Sequence, residues 1–73
     1  MKATTVKRII TEIINDTASD VNIMIETKTR IFVVNPTEGD TIEFDQADDD
    51  IMILATSIGT KWIDMNEVTN IEI

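Results

Sequence analysis

The sequence predicts a small α+β domain, in which one N-terminal amphipathic helix packs on a strongly bent antiparallel sheet of five or six strands or on a partly open barrel. Three observations predict it. One segment has apolar residues at helical spacing, the segments after it alternate with a period of two, and short turn signals separate these segments. A chain of 73 residues forms one domain, here spanning 1–73, with a thin core.

The helix is predicted over residues 5–16. Its apolar residues recur at i, i+3, i+4, i+7 and i+8, which places them on one stripe: Val6, Ile9, Ile10, Ile13 and Ile14. Thr4 or Thr5 is expected to cap its start. A strand over residues 9–14 is the alternative, but the doublets Ile9-Ile10 and Ile13-Ile14 break a period of two and favour the helix.

Strands are predicted over residues 21–26, 29–35, 41–46, 51–56, 61–65 and 69–73, with a single helical turn at 66–68. The segment 29–35 is apolar at both parities, so we expect this strand to be covered on both faces. Turns are predicted at residues 35–40, 47–50 and 57–60. Gly39 is expected to adopt a positive φ, and Gly59 a left-handed conformation at the tip of a hairpin.

The acid balance indicates what kind of surface the domain presents. Fourteen Asp and Glu against six Lys and Arg give a net charge of −8. Such a surface repels nucleic acid and anionic lipid and attracts basic protein surfaces. The chain has no His and no Cys, which removes the commonest catalytic side chains and any thiolate metal site. We therefore expect a protein that is not an enzyme, with no cofactor and no metal, and that acts by binding.

The sequence also indicates a cellular compartment. It has no cysteine for disulfides, no continuous apolar segment of a signal peptide and no run long enough to span a membrane. The bias toward Ile, Asn and Thr is typical of an AT-rich genome, such as that of a phage or a low-GC bacterium. We expect a cytoplasmic location in a bacterial host cell.

Six carboxylates lie close together in sequence and form the candidate partner-binding site. Glu43 and Asp45 are two residues apart on one predicted strand, so they share a face at a separation of about 7 Å, which resembles the spacing of successive phosphates on a nucleic acid strand. The full set is Asp40, Glu43, Asp45, Asp48, Asp49 and Asp50. The alternative is a solvated edge whose charges prevent sheet aggregation. A divalent cation is a lesser alternative, because the order of acids does not match a calcium loop.

The aromatic residues are few. Trp62 is the only Trp, and it either packs against an end of the barrel, which we favour, or is an exposed anchor for a partner. Phe32 and Phe44 are expected to belong to the core, because stacking platforms for nucleobases are paired with basic residues and Phe44 lies between Glu43 and Asp45.

Two stretches carry a resemblance to a known family. Glu43-Phe44-Asp45-Gln46, followed by Ile51-Met52-Ile53-Leu54, resembles the Phe-Asp-Gln and apolar strand segment of bacterial Hfq-type Sm proteins. The ending WIDMNEVTNI, residues 62–71, is similar to the short strand, helical turn and final strand that close Sm-like barrels. The resemblance implies an SH3-like barrel with an N-terminal helix, and assembly into a ring.

The sequence departs from that family pattern at three points. Residues 47–50 are an apparent insertion, Asp64-Met65 stands where Hfq-type proteins carry a basic Lys-His pair, and the overall charge is reversed in sign. These departures argue against the RNA binding that the resemblance would otherwise imply.

Three functions remain open at the level of sequence. The leading one is a non-catalytic acidic module that binds the basic surface of a nucleic-acid-binding protein, in its sharpest form a phage or mobile-element inhibitor that occupies a nucleic-acid groove. The second is a homo-oligomeric Sm-like ring, paired through its edge strands, that binds RNA or a small ligand at subunit junctions. The third is a small structural subunit of a larger assembly such as a virion.

Overall fold

The computed structural model describes residues 1–16 and 21–73, and over these residues it has one α-helix followed by six strands. The elements are α1 (Ala3–Asp16), β1 (Ile23–Thr27), β2 (Ile31–Val34), β3 (Thr41–Phe44), β4 (Ile51–Thr56), β5 (Gly59–Asp64) and β6 (Val68–Glu72). Two short 3-10 turns, Pro36–Glu38 and Met65–Glu67, precede β3 and β6. The predicted α+β class, with its N-terminal helix and short antiparallel strands, is confirmed.

The strands form two antiparallel sheets of three strands each. One has the order β2-β1-β6 and the other β3-β4-β5, and the two sheets do not close into a continuous barrel. In the first sheet Ile25 lies opposite Phe32 and Ile71, and in the second Met52 lies opposite Phe44 and Ile63. These inward-facing rows place the core between the sheets, and β2, β6, β3 and β5 are the outer strands.

Helix α1 completes the core. Val6 and Ile10 are fully buried on its inner face, as the apolar stripe predicts, whereas Ile14 at the end of the stripe is half exposed. Ala3 of the helix is also part of the core, and the remaining core residues come from both sheets and from the second 3-10 turn: Ile23, Ile25, Val34, Met52, Leu54, Ile63, Met65 and Val68. Phe32 and Phe44 are partly buried against this cluster, which confirms their predicted place.

The start of α1 differs from the predicted one. The helix begins at Ala3, two residues early, and the N–H of Ala3 donates to the side-chain oxygen of Asn66 at 3.1 Å. The cap therefore comes from the far end of the chain and not from Thr4 or Thr5, because packing brings the second 3-10 turn against the helix start.

Strand β2 is not covered on both faces, so that prediction is wrong. Only Phe32 and Val34 face the core, and Ile31 and Val33 are 62% and 56% exposed. The physical reason is that nothing packs on the outer face of this sheet within the described residues. Their one helix packs on the inner side of the sheets, against the core.

The turns follow their sequence signals. Gly39 ends the first 3-10 turn with φ of 91°, in the left-handed region, as predicted. Gly59 also has a positive φ, but at 134° it lies beyond the left-handed helical region and already pairs with Thr56 across the hairpin. The hairpin loop is thus the two residues Ser57 and Ile58.

Replacement of Ile10 tests whether the helix is held by the shared core. Ile10→Ala removes a fully buried side chain and is expected to lower the free energy of unfolding by about 3 kcal/mol. Ile14→Ala, on the same helix but half exposed, is the matched control and should change it by less than about 1 kcal/mol. Urea denaturation followed by circular dichroism measures both, and equal effects would contradict the burial pattern.

Candidate functional site

One row of side chains crosses the second sheet on its outer side. Glu43 on β3 lies opposite Ile53 on β4, and Ile53 lies opposite Trp62 on β5. Residues directly opposite each other in antiparallel strands project from the same face. The adjacent β4 residues Met52 and Leu54 are buried, so this row belongs to the face that points away from the core.

A second row runs parallel to the first. Ile51 lies opposite Asp64, and the N–H of Asp45 donates to the carbonyl of Ile51 at 3.0 Å, which extends the register to β3. Ile51 and Ile53 are only half-buried. We call these two rows together the β4 face; its residues are Glu43, Asp45, Ile51, Ile53, Trp62 and Asp64. It is a strip of isoleucine with a tryptophan beside it and carboxylates on both flanks.

Trp62 is 64% exposed, so the preferred expectation that it packs against the barrel is wrong. Trp62 lies on the outer strand β5, and its side chain points to the opposite face from that of the buried Ile63. A large aromatic side chain with this much free surface is unusual in a folded domain. Its exposure on the β4 face agrees with the alternative, in which it is an anchor for a partner.

The acidic cluster of the sequence is divided in the structure. Asp40 precedes β3 and Asp45 follows it, and five residues of extended chain separate them by about 17 Å. The carboxylate of Asp40 accepts the N–H of Asn35 at 2.9 Å and thereby closes the turn between β2 and β3. Asp40 therefore lies apart from the other predicted binding residues.

The other acids gather at one end of the second sheet. Asp45, Asp48, Asp49 and Asp50 occupy the connection between β3 and β4. The carbonyl of Asp50 accepts the N–H of Met65 at 2.8 Å, which joins this connection to the end of β5 beside Asp64. Five carboxylates thus surround one end of the β4 face.

Several of these carboxylates also fix the backbone. The side chain of Asp45 accepts the N–H of Ala47 at 2.8 Å, that of Asp48 accepts the N–H of Asp50 at 3.0 Å, and that of Asp64 accepts the N–H of Asn66 at 2.9 Å. Each is a side-chain turn of the kind that Asp favours. Within the described part of the chain, no such bond involves the side chains of Glu43 and Asp49. The acids therefore divide into turn-forming and freely solvated ones, a distinction that composition does not reveal.

The sequence interpretation missed the apolar centre of the β4 face. The signal is present: β4 is apolar at both parities, and only one of its faces can meet the core of so small a domain. Ile51 and Ile53 lie on the face of β4 that points away from the core.

Two other kinds of site do not occur in residues 1–16 and 21–73. No group of three or more acidic side chains is placed there to hold a metal ion. No helix in these ranges is long and apolar enough to cross a membrane.

Comparisons of the chain with protein-family models, with curated proteins and with solved structures return no match. The resemblance to Sm-like proteins stays a prediction.

The turn-forming role of Asp45 can be measured. Asp45→Ala removes the acceptor of the Ala47 N–H and should lower the free energy of unfolding by about 1 kcal/mol. Asp45→Asn retains an acceptor oxygen at the same place and should restore most of that loss. Asp49→Ala is the control, with an expected change below about 0.5 kcal/mol. A full loss in the Asn variant as well would show that the charge, and not the turn, is what matters for stability.

Proposed function

We propose that this protein is a non-catalytic protein-binding module, and that its β4 face contacts the basic surface of a nucleic-acid-binding protein. The observation that carries the proposal is the row Glu43–Ile53–Trp62, in which an exposed tryptophan and an isoleucine lie beside a carboxylate on an unshielded sheet face. Interface anchors are commonly aromatic residues surrounded by polar ones, and this row has that arrangement.

The charge of the module determines the chemistry of the partner. A net charge of −8 disfavours contact with phosphates or anionic lipid. Carboxylates flank the apolar strip on both sides, through Glu43 on β3, Asp45 just after β3 and Asp64 on β5. A partner with lysine or arginine around an apolar pocket for Trp62 fits this face, and long-range attraction would speed its association.

In the sharpest form of the proposal, the module is an inhibitor encoded by a phage or another mobile element. Glu43, Asp45 and the loop acids Asp48, Asp49 and Asp50 take the place of phosphates in the groove of the host protein. The gathering of Asp45, Asp48, Asp49 and Asp50 at one end of the β4 face supports this form. Asp40, at the opposite end of β3, is not part of the proposed binding surface. The module and nucleic acid would then compete for the same groove of the partner.

The test compares the wild-type protein with two variants of the β4 face in pull-downs from bacterial lysate, at low and high salt. Trp62→Ala should weaken binding about 30-fold, as loss of an interface anchor does. The triple variant Glu43→Gln, Asp45→Asn, Asp64→Asn keeps the turn acceptors, and should slow association and reduce its salt dependence. A nucleic-acid-binding protein recovered with wild type, lost with both variants and displaced by nucleic acid would support the proposal.

A matched control separates the β4 face from overall charge. The control is the triple variant Glu12→Gln, Glu38→Gln, Glu72→Gln. It removes an equal number of negative charges, three, from residues outside the β4 face. Equal loss of binding in the two triple variants would show that net charge alone attracts the partner. Unchanged binding in Trp62→Ala would show that Trp62 is not an anchor of the interface.

A second candidate rests on the sheet edges. β5 and β6 are outer strands of different sheets, and they correspond to the segments expected to pair between subunits of a ring. An outer strand offers unpaired backbone groups to another copy. This candidate predicts an oligomer at micromolar concentration in multi-angle light scattering. A wild-type monomer at that concentration would contradict it.

A further inference from the structure

A cleft lies between the outer strand β2 and the β4–β5 hairpin, with a volume of about 400 Å³. Its floor is Leu54, which is 1% exposed, and Phe32 lies half-buried beside it. Ile31 and Val33 on one side and Ile58 at the hairpin tip complete an apolar lining. Leu54 has the opposite parity to Ile53, so the cleft is distinct from the β4 face.

The cleft exists because the two sheets do not close. β2 pairs with β1 and, among the described residues, with no other strand. After β2 the chain turns through Asn35–Asp40 and enters the other sheet as β3, so β2 and the end of β4 are left apart. Side chains that would meet in a closed barrel remain accessible, and the volume is within the range of small-molecule sites.

The charge of the cleft is opposite to that of the protein. Among the described residues its lining includes Arg30 and Lys61 and no Asp or Glu, although the chain has fourteen acids and only six bases. The ion pairs in the described residues are Arg8–Glu12 and Lys28–Glu67, and neither uses the two cleft cations. Two cations beside an apolar lining, which form no ion pair with a carboxylate of the described residues, offer a site for an external anion.

The backbone on both sides of the cleft is held by threonine hydroxyls. In the β1–β2 turn, the hydroxyl of Thr27 accepts the N–H of Arg30 at 3.0 Å, and the N–H of Thr27 donates to the carbonyl of Arg30 at 2.8 Å. In the β4–β5 turn, the hydroxyl of Thr56 accepts the N–H of Ile58 at 3.3 Å. The two turns that carry Arg30 and Ile58 are therefore positioned before any ligand arrives, which lowers the entropic cost of binding.

We propose that this cleft binds a small amphipathic anion, with an aliphatic body that lies on Leu54 and Phe32 and a single carboxylate that contacts Arg30 and Lys61. The apolar lining excludes strongly hydrated anions, and the acid excess of the remaining surface repels anions elsewhere. Selectivity thus comes from the combination of the two features. A medium-chain carboxylic acid has both parts of such a ligand, the aliphatic body and the single carboxylate.

The proposal is tested by titration of ¹⁵N-labelled protein with three ligands that share a ten-carbon chain, all below the concentration at which they form micelles. Decanoate should shift the amide signals of residues 30–33 and 54–61. Decanol should bind there at least tenfold more weakly, since it lacks the charge, and decyltrimethylammonium should not bind there. Equal binding of the three, or decanoate shifts located elsewhere or absent, would overturn the proposal.

Variants identify the groups that hold the carboxylate. Arg30→Met and Lys61→Met keep an unbranched apolar stem and remove the charge, and each should weaken decanoate binding about tenfold. Arg8→Met, on α1 and outside the cleft lining, changes the net charge equally and should leave binding unchanged. The thermal midpoint of each variant checks that the fold is intact. Decanoate binding that is insensitive to both cleft variants would exclude the assigned contacts, and the result is independent of the β4 face.

Discussion

Among the described residues, the inner faces of two sheets, one helix and the buried Met65 of a 3-10 turn supply the core of this domain. Val6 and Ile10 of α1 meet Ile25 from one sheet and Leu54 from the other, and each of these side chains is almost completely buried. A domain of this size has no second layer to place over the outer faces. Every strand therefore has one side that water reaches, and the parity of a residue decides whether it stabilises the fold or remains available for contact.

Charge is distributed according to the same geometry. Carboxylates lie along the outer side of the β3–β4–β5 sheet and in its connecting loop, where water solvates them and salt weakens their mutual repulsion. Several of them accept backbone N–H groups, as Asp48 and Asp64 do, so local turn geometry accounts for part of the acid excess. The cations that line the cleft lie apart from these acids: Lys61 is directly opposite the buried Leu54, and Arg30 is in the β1–β2 turn of the other sheet. The two surfaces thus offer contacts of opposite sign on one small molecule.

The parts of the fold that could be predicted from sequence are those determined by local pattern. The stripe of α1, the full extent of β4 and the positive φ of Gly39 all follow from residues close to one another in the chain. The errors concern position in the assembled fold. Exposure of Ile31 depends on what packs on the outer face of its sheet, where the described residues place no layer, and the helix cap from Asn66 crosses 63 residues of sequence. Neither the packing of layers nor such a contact has a local signal, and the same limit hid the exposure of Trp62.

The exposure of Trp62 has a consequence for optical work on this protein. It is the only tryptophan, and the chain has no tyrosine, so it dominates the ultraviolet fluorescence. Because this indole is already largely hydrated in the folded state, unfolding should change its emission maximum very little. Burial of the indole in a protein complex should instead shift the emission to shorter wavelength. The native chain therefore has a built-in reporter that responds weakly to denaturation and strongly to occupation of one face.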